Sequence, residues 1–262
     1  MKRCNLKISF LLTISALLLA VCIGFAQTQT PPAAPQFYQV QVVKLQPGML
    51  GEWTKFYETE ILPALKKAGV KQYSVLSVAQ GDVRLRIIIR PLESLTQLDE
   101  PGPLAKVLGQ EAANALNQKL SRFYSEWNSY VTVGRPDLGI APTSSEPAKM
   151  ATSIRTVIAP GPTAEWEKYI KESNQPAAKK AESKGVLVGK ILLGGDPNEY
   201  HTYLLFDSYA DGVKFSQAIT KAKADMNLAT APPAGVVAHT ETLIVRYVPE
   251  LSIRPEQQKA SK

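Results

Sequence analysis

The chain has 262 residues, 45% of them hydrophobic, with 30 Lys and Arg against 23 Asp and Glu and a formal net charge of +7. That length allows one or two domains with ordinary hydrophobic cores. Two cysteines and two histidines leave little material for a disulfide scaffold or a His/Cys metal cluster. No basic run is interleaved with aromatics, so a nucleic-acid partner is not expected.

Residues 1–26 read as a secretory signal peptide: Met1-Lys2-Arg3 and Lys7 are basic, Ile8 to Phe25 is largely apolar, and Gly24-Phe25-Ala26 offers small residues before Gln27. The competing reading is a retained anchor, because about 18 mostly apolar residues are the lower limit for spanning a bilayer. With cleavage the protein is expected to be exported, periplasmic or secreted, with no membrane attachment left. Both Cys4 and Cys22 lie in this leader, so the mature chain has no thiol. Removing Lys2, Arg3 and Lys7 lowers the net charge from +7 to +4, which gives little support to a polyanionic partner. Residues 27–35, rich in Thr, Gln and Pro, read as a disordered tether.

Phe37 to Leu45 has the composition of a strand and ends at Pro47-Gly48. Leu50, Trp53, Phe56, Tyr57, Leu62, Leu65 and Ala68 then return at helical spacing. The same phrase recurs later. Between 47–67 and 160–180, displaced by 113, nine of 21 positions are identical without a gap, where unrelated segments would share roughly one or two. Arg135 to Ile140 faces Val248 to Ile253 at the same displacement. The chain is therefore read as a duplication, with repeat 1 over 36–140, a linker over 141–148, repeat 2 over 149–254 and a frayed tail over 255–262. Pro63 and Pro176 fall at matching points inside the predicted helices, and each removes an amide donor, so a kink or break is expected there.

After Gly69, Tyr73 to Ala79 and Val83 to Arg90 read as a hairpin turning at Gly81-Asp82. Val186 to Leu193 and Glu199 to Phe206 are its counterpart, turning at Gly194-Gly195-Asp196. Longer helices follow over about 104–124 and 209–228, and last strands over 129–134 and 236–247. The order β-α-β-β-α-β is ferredoxin-like. The expected fold class is α+β: two tandem ferredoxin-like units whose antiparallel sheets pack face to face as a pseudo-dimeric α+β barrel, each covering the bare face of the other.

The strand ending in Leu45-Gln46-Pro47-Gly48 or Ile158-Ala159-Pro160-Gly161, followed by Glu-Trp-x-Lys-aromatic and a helix, resembles the dimeric α+β barrel superfamily, within it the NIPSNAP-like, Dabb-type and antibiotic-biosynthesis-monooxygenase-type domains. NIPSNAP-like first strands often carry an Arg and a Tyr two residues apart, where this chain has Gln41 and Val43, then Ile154 and Thr156. The resemblance implies an internal pseudo-dimer, and it brings in cofactor-independent oxygenase chemistry and haem handling as possible activities.

Candidate chemistry sits where the copies differ. Arg84, Arg86 and Arg90 share one face of the third strand, and Leu85, Ile87 and Ile89 share the other. With the apolar face expected against the helices, the arginines are expected to face the space between the repeats, where buried guanidinium groups need an anionic partner from the protein or a ligand. The competing expectation is that nearby acids or solvent satisfy them. His201 shares a strand face with Tyr203, and His239 shares one with Glu241, so these four are the candidate catalytic residues, with a His oriented by a carboxylate as general base. Half-exposed surface histidines are the competing interpretation. Neither a metal nor a cofactor is implied by spacing. Trp53, Trp166, Tyr124, Trp127 and Tyr130 are assigned to packing. The function expected is binding of a small or anionic ligand, or of a protein partner, between the two sheets, with the oxygenase-like or haem-handling enzyme as the alternative.

Overall fold

The protein is described by a computed structural model over residues 35–254. The signal peptide, nearly all of the tether and the tail read from the sequence lie outside those residues.

In the first half, β1 (Phe37–Leu45) leads through the Pro47-Gly48 turn into α1 (Leu50–Phe56), a π-helical turn (Tyr57–Ile61) and α2 (Leu62–Lys67). β2 (Ser74–Gln80) and β3 (Leu85–Leu92) follow, then α3 (Pro103–Leu108), α4 (Gln110–Ser121) and β4 (Tyr124–Gly134). The second half repeats the plan with β5 (Met150–Ile158), α5 (Thr163–Tyr169), a second π-helical turn (Ile170–Asn174), α6 (Gln175–Lys180), β6 (Val186–Leu193), β7 (Glu199–Phe206), α7 (Tyr209–Asp225) and β8 (Val237–Tyr247).

The eight strands close into one antiparallel barrel in the order β1-β3-β2-β8-β5-β7-β6-β4. The α+β barrel was expected, but not as two sheets stacked face to face: the halves are hydrogen-bonded along both edges. One seam pairs Leu76 with Tyr247 and Val78 with Val245, and the other pairs Thr132 with Ile191 and Gly134 with Gly189. The physical reason is that closure leaves no strand edge unpaired, whereas stacked sheets would leave four.

Closure also decides which strand face is dry. Val40, Val78, Ile87, Ala151 and Val245 form a buried cluster inside the barrel, with Leu85 and Ile89 packed against it. The other faces meet the helices: Val43, Leu45, Val75 and Ile88 with Trp53, Tyr57, Ile61 and Leu65 in the first half, and Ile158, Val186, Val188 and Tyr200 with Trp166, Ile170 and Ala178 in the second. The arginine face of β3 is therefore opposite to expectation. Arg86 and Arg90 point away from the barrel interior, because that interior takes the apolar face of Leu85, Ile87 and Ile89, while a long arginine can reach backbone carbonyls beside a helix; Arg84 falls in the turn before β3.

The prolines widen their helices instead of breaking them. In both halves a π-helical turn directly precedes the segment containing Pro63 or Pro176, and an extra residue in the turn makes room for a ring that has no N–H to donate to the carbonyl at i−4. The long helix expected over about 104–124 is two helices parted at Gly109, whose φ of +81° an L side chain rarely adopts. Tyr124 and Trp127 belong to β4, and Trp127 is 62% exposed, so it is not part of the core.

Each half also completes the core of the other. After β4 the chain carries Leu138, fully buried, into the second-half core, and Ile140 bridges Val186. After β8 it carries Leu251 and Ile253 into the first-half core, and Ile253 bridges Tyr73. Both bridges are related by the displacement of 113 read from the sequence. Arg135 clamps the first of these tails, donating to both Glu167 carboxylate oxygens at 2.5 and 2.8 Å and to Asp137 at 2.8 Å.

Candidate functional site

Two cavities lie between the barrel wall and the helices, one in each half, and they differ because the repeats differ. In the helices the displacement of 113 sets Tyr57 against Ile170, Ile61 against Asn174 and Leu65 against Ala178. Smaller residues in the second copy leave space. The second-half cavity has a volume of about 440 Å³ and the first about 130 Å³.

The wall of the larger cavity comes from β5 and β7 through Thr152, Ile154, Thr156, Thr202 and Leu204, all on the outer strand face by alternation. Its roof comes from α5 to α7, with Trp166, Ile170, Phe215 and Ile219 at helical spacing. Lys223 of α7, only 8% exposed, also lines the cavity. Its Nζ donates to Tyr169 Oη at 2.8 Å, to Asn174 Oδ1 at 2.7 Å and to the Thr230 carbonyl at 3.4 Å. All three acceptors are neutral. Burial lowers the Lys223 pKa, and among the described residues no carboxylate pairs with it. The cavity thus joins a long apolar wall to one buried cation, a shape that takes an apolar molecule with an acceptor or negative charge at one end. Lys223 was not found from the sequence, although it continues the Ile219-Ala222 stripe of α7, where a lysine in an otherwise core-facing row was a usable signal.

Inside the barrel, the sequence candidates His201 and Tyr203 share the inner face of β7, as expected. The register sets His201 opposite Arg155 and Tyr203 opposite Ser153. The partner of His201 is Glu199: Nε2 lies 2.7 Å from Glu199 Oε1, and Arg155 donates to Glu199 Oε2 at 2.7 Å. Tyr130 stacks on the imidazole at 5.3 Å between ring centroids. Burial opposes ionisation of Glu199, but the hydrogen bonds from His201 and Arg155 outweigh it and bring the carboxyl down to about 2. Burial pushes the Tyr203 hydroxyl up to about 12. Glu241 lies 3.9 Å from Arg155 at the exposed edge of this cluster. His239 is exposed on β8 opposite Val157, two positions from Glu241. The fold brings His201 and Glu199 together on Arg155; it does not join His239 to them by any described contact. The Glu199-Tyr200-His201 alternation was the signal for this pair.

The arginines separate. Arg86, 5% exposed, donates to the carbonyls of Val83 at 2.8 Å and Leu85 at 2.7 Å and lies over the Trp53 ring. Arg84 sits 3.6 Å from Asp82 at the surface. Arg90 alone lines a cavity, the smaller one. Among the described residues no group of three or more His, Cys, Asp and Glu side chains could hold a metal, and no helix is long and apolar enough to cross a membrane.

No family model matches the sequence, and no curated protein matches it. Solved structures do resemble the fold. A protein from Lactobacillus acidophilus described as a candidate monooxygenase superposes with a TM-score of 0.55 at 7% identity, over 84% of this chain and 97% of its own. An anthrone oxidase-like protein gives 0.55 at 11%, over 87% and 96%. A chlorite dismutase from Candidatus Nitrospira defluvii gives 0.50 at 11%, over 82% and 92%. At such identities the likeness is one of fold: the chain has the dimeric α+β barrel fold.

Proposed function

We propose that this protein is an exported small-molecule-binding barrel, built from two fused ferredoxin-like repeats, that takes an apolar ligand with an acceptor or anionic group in its second-half cavity. The observation that carries this is the 440 Å³ space with the buried Lys223, which no described carboxylate pairs, in its lining. We put the binding site under the helices and not between the sheets, because apolar side chains of both halves meet inside the barrel. An anionic ligand would exchange neutral acceptors of Lys223 for a charged one, a charge-assisted bond that contributes about 1.5–3 kcal/mol. Haem does not fit this cavity: neither histidine lines it, since His201 lies on the opposite face of the sheet and His239 is exposed.

The fold relatives named as oxidising enzymes keep oxygenase chemistry as the second reading, with His201, Tyr203, Glu241 and His239 as the residues to vary. One titration tests both. Trp166 lines the cavity and is 3% exposed, so 2-naphthoate is expected to quench its fluorescence with saturation. Lys223→Met should weaken that binding about tenfold or more, and neutral 2-naphthamide should bind the native protein correspondingly less. Equal binding of acid and amide, or no effect of Lys223→Met, removes the proposal. Repeating the titration with 1-naphthol in an oxygen electrode tests the second reading: oxygen uptake abolished by His201→Ala would replace binding with catalysis.

A further inference from the structure

The smaller, first-half cavity is built on different chemistry. Arg90 projects from the outer face of β3, and its guanidinium meets one protein acceptor, Gln39 Oε1, from Nε at 3.2 Å and from a terminal nitrogen at 2.8 Å. Its sister arginines are satisfied, Arg86 by backbone carbonyls and Arg84 by Asp82, whereas among the described residues Arg90 has no carboxylate partner. The remaining guanidinium protons are left for something else.

A second observation points the same way. The hydroxyls of Tyr57 and Tyr73, both buried, are hydrogen-bonded to each other at the cavity wall. Two hydroxyls carry two protons, and their mutual bond uses one. The other has no protein acceptor among the described bonds and is available to a ligand. Gln41 and Asn117 add amides, and no acidic side chain lines the space. The donors therefore line a region without a negative charge, where a half-buried guanidinium short of protein acceptors favours an anion.

The rest of the wall is apolar, from Ile61, Leu65, Leu104 and Leu120. A volume of about 130 Å³ is close to the ~150 Å³ cavity that holds benzene, so the ligand has about six heavy atoms. In the second half the register replaces Arg90 by Leu204, since Gln39 pairs with Arg90 and Thr152 with Leu204. The feature belongs to the first cavity alone. We propose that this cavity is a binding site for a short-chain carboxylate, with the carboxylate on Arg90 and the alkyl chain against the leucine wall. This site is independent of the second-half cavity.

Butyrate is the probe, since it has about the right number of heavy atoms. In thermal melting of the full chain it is expected to raise Tm by about 3 °C or more at about ten times its dissociation constant. Butyramide, of the same shape without the charge, and inorganic phosphate, which leaves the leucine wall unfilled, should both raise it less. Arg90→Gln should abolish the butyrate shift, and Lys223→Met, altering only the other cavity, should leave it intact. Should Arg90→Gln fail to fold, Leu104→Trp, which fills the cavity from the helix side, has to abolish the shift instead. The proposal is overturned if butyramide or phosphate matches butyrate, if Lys223→Met removes the shift, or if butyrate has no effect on the native protein.

Discussion

At Glu199 burial and pairing pull in opposite directions. The side chain is 6% exposed, and loss of solvent opposes its charge, yet the hydrogen bonds from His201 and Arg155 bring the carboxyl from 4.5 to about 2. A folded value below the unfolded one means that the unfolded chain takes up the proton first. The contribution of Glu199 to stability is thus complete above about pH 4.5 and is lost as the pH falls toward 2. Urea midpoints measured down this range should fall more steeply for the native protein than for Glu199→Gln; parallel curves would show that the carboxyl is not held down. This pair was half legible. His201 stood out as one of two histidines, but two Glu-and-His pairs sit at i, i+2 on strands, and only the register showed that Arg155 lies between them, hydrogen-bonded to Glu199 at 2.7 Å and 3.9 Å from Glu241.

At the scale of elements, each tail after the last strand of a half behaves as part of the other half. Leu138 is fully buried among Ile158, Trp166, Val186 and Val236. A Cβ built on the next residue, Gly139, would stand 2.5 Å from the Val186 carbonyl oxygen, a backbone atom that cannot swing aside. Leu138→Ala is expected to destabilise the protein by about 2–5 kcal/mol, read from the shift in urea midpoint; a loss below about 1 kcal/mol would show the tail to be loosely held. The repeat of Arg135–Ile140 in Val248–Ile253 was visible as sequence, but that it marked an exchange of tails was not. Likeness shows that two segments share a role and does not say which core they enter. The prolines are similar: the missing donor was certain from the residue type, and its absorption by a π turn depended on the helix being pinned to the barrel on both sides of it.

For the whole molecule, closure is the governing constraint. Each four-strand group, in the order β4-β1-β3-β2 or β8-β5-β7-β6, has two edges, and all four edges are consumed by pairing between groups. A protease site placed at the exposed Ser144-Ser145 should therefore cut the chain without separating its halves, which should elute together on gel filtration and part only in denaturant. Separate elution in native buffer would show that the covalent link, not closure, holds the barrel. The sequence by itself determined the internal likeness, the alternation of strands with helical segments and the residues at which the two halves part, because these rest on local periodicity and on direct likeness within the chain. Only the tertiary structure decided that the two groups join edge to edge, that the β3 arginines turn outward and that the open spaces lie under the helices. Which face of a strand is dry depends on what closes over it, and alternation along one strand is the same whichever face is enclosed.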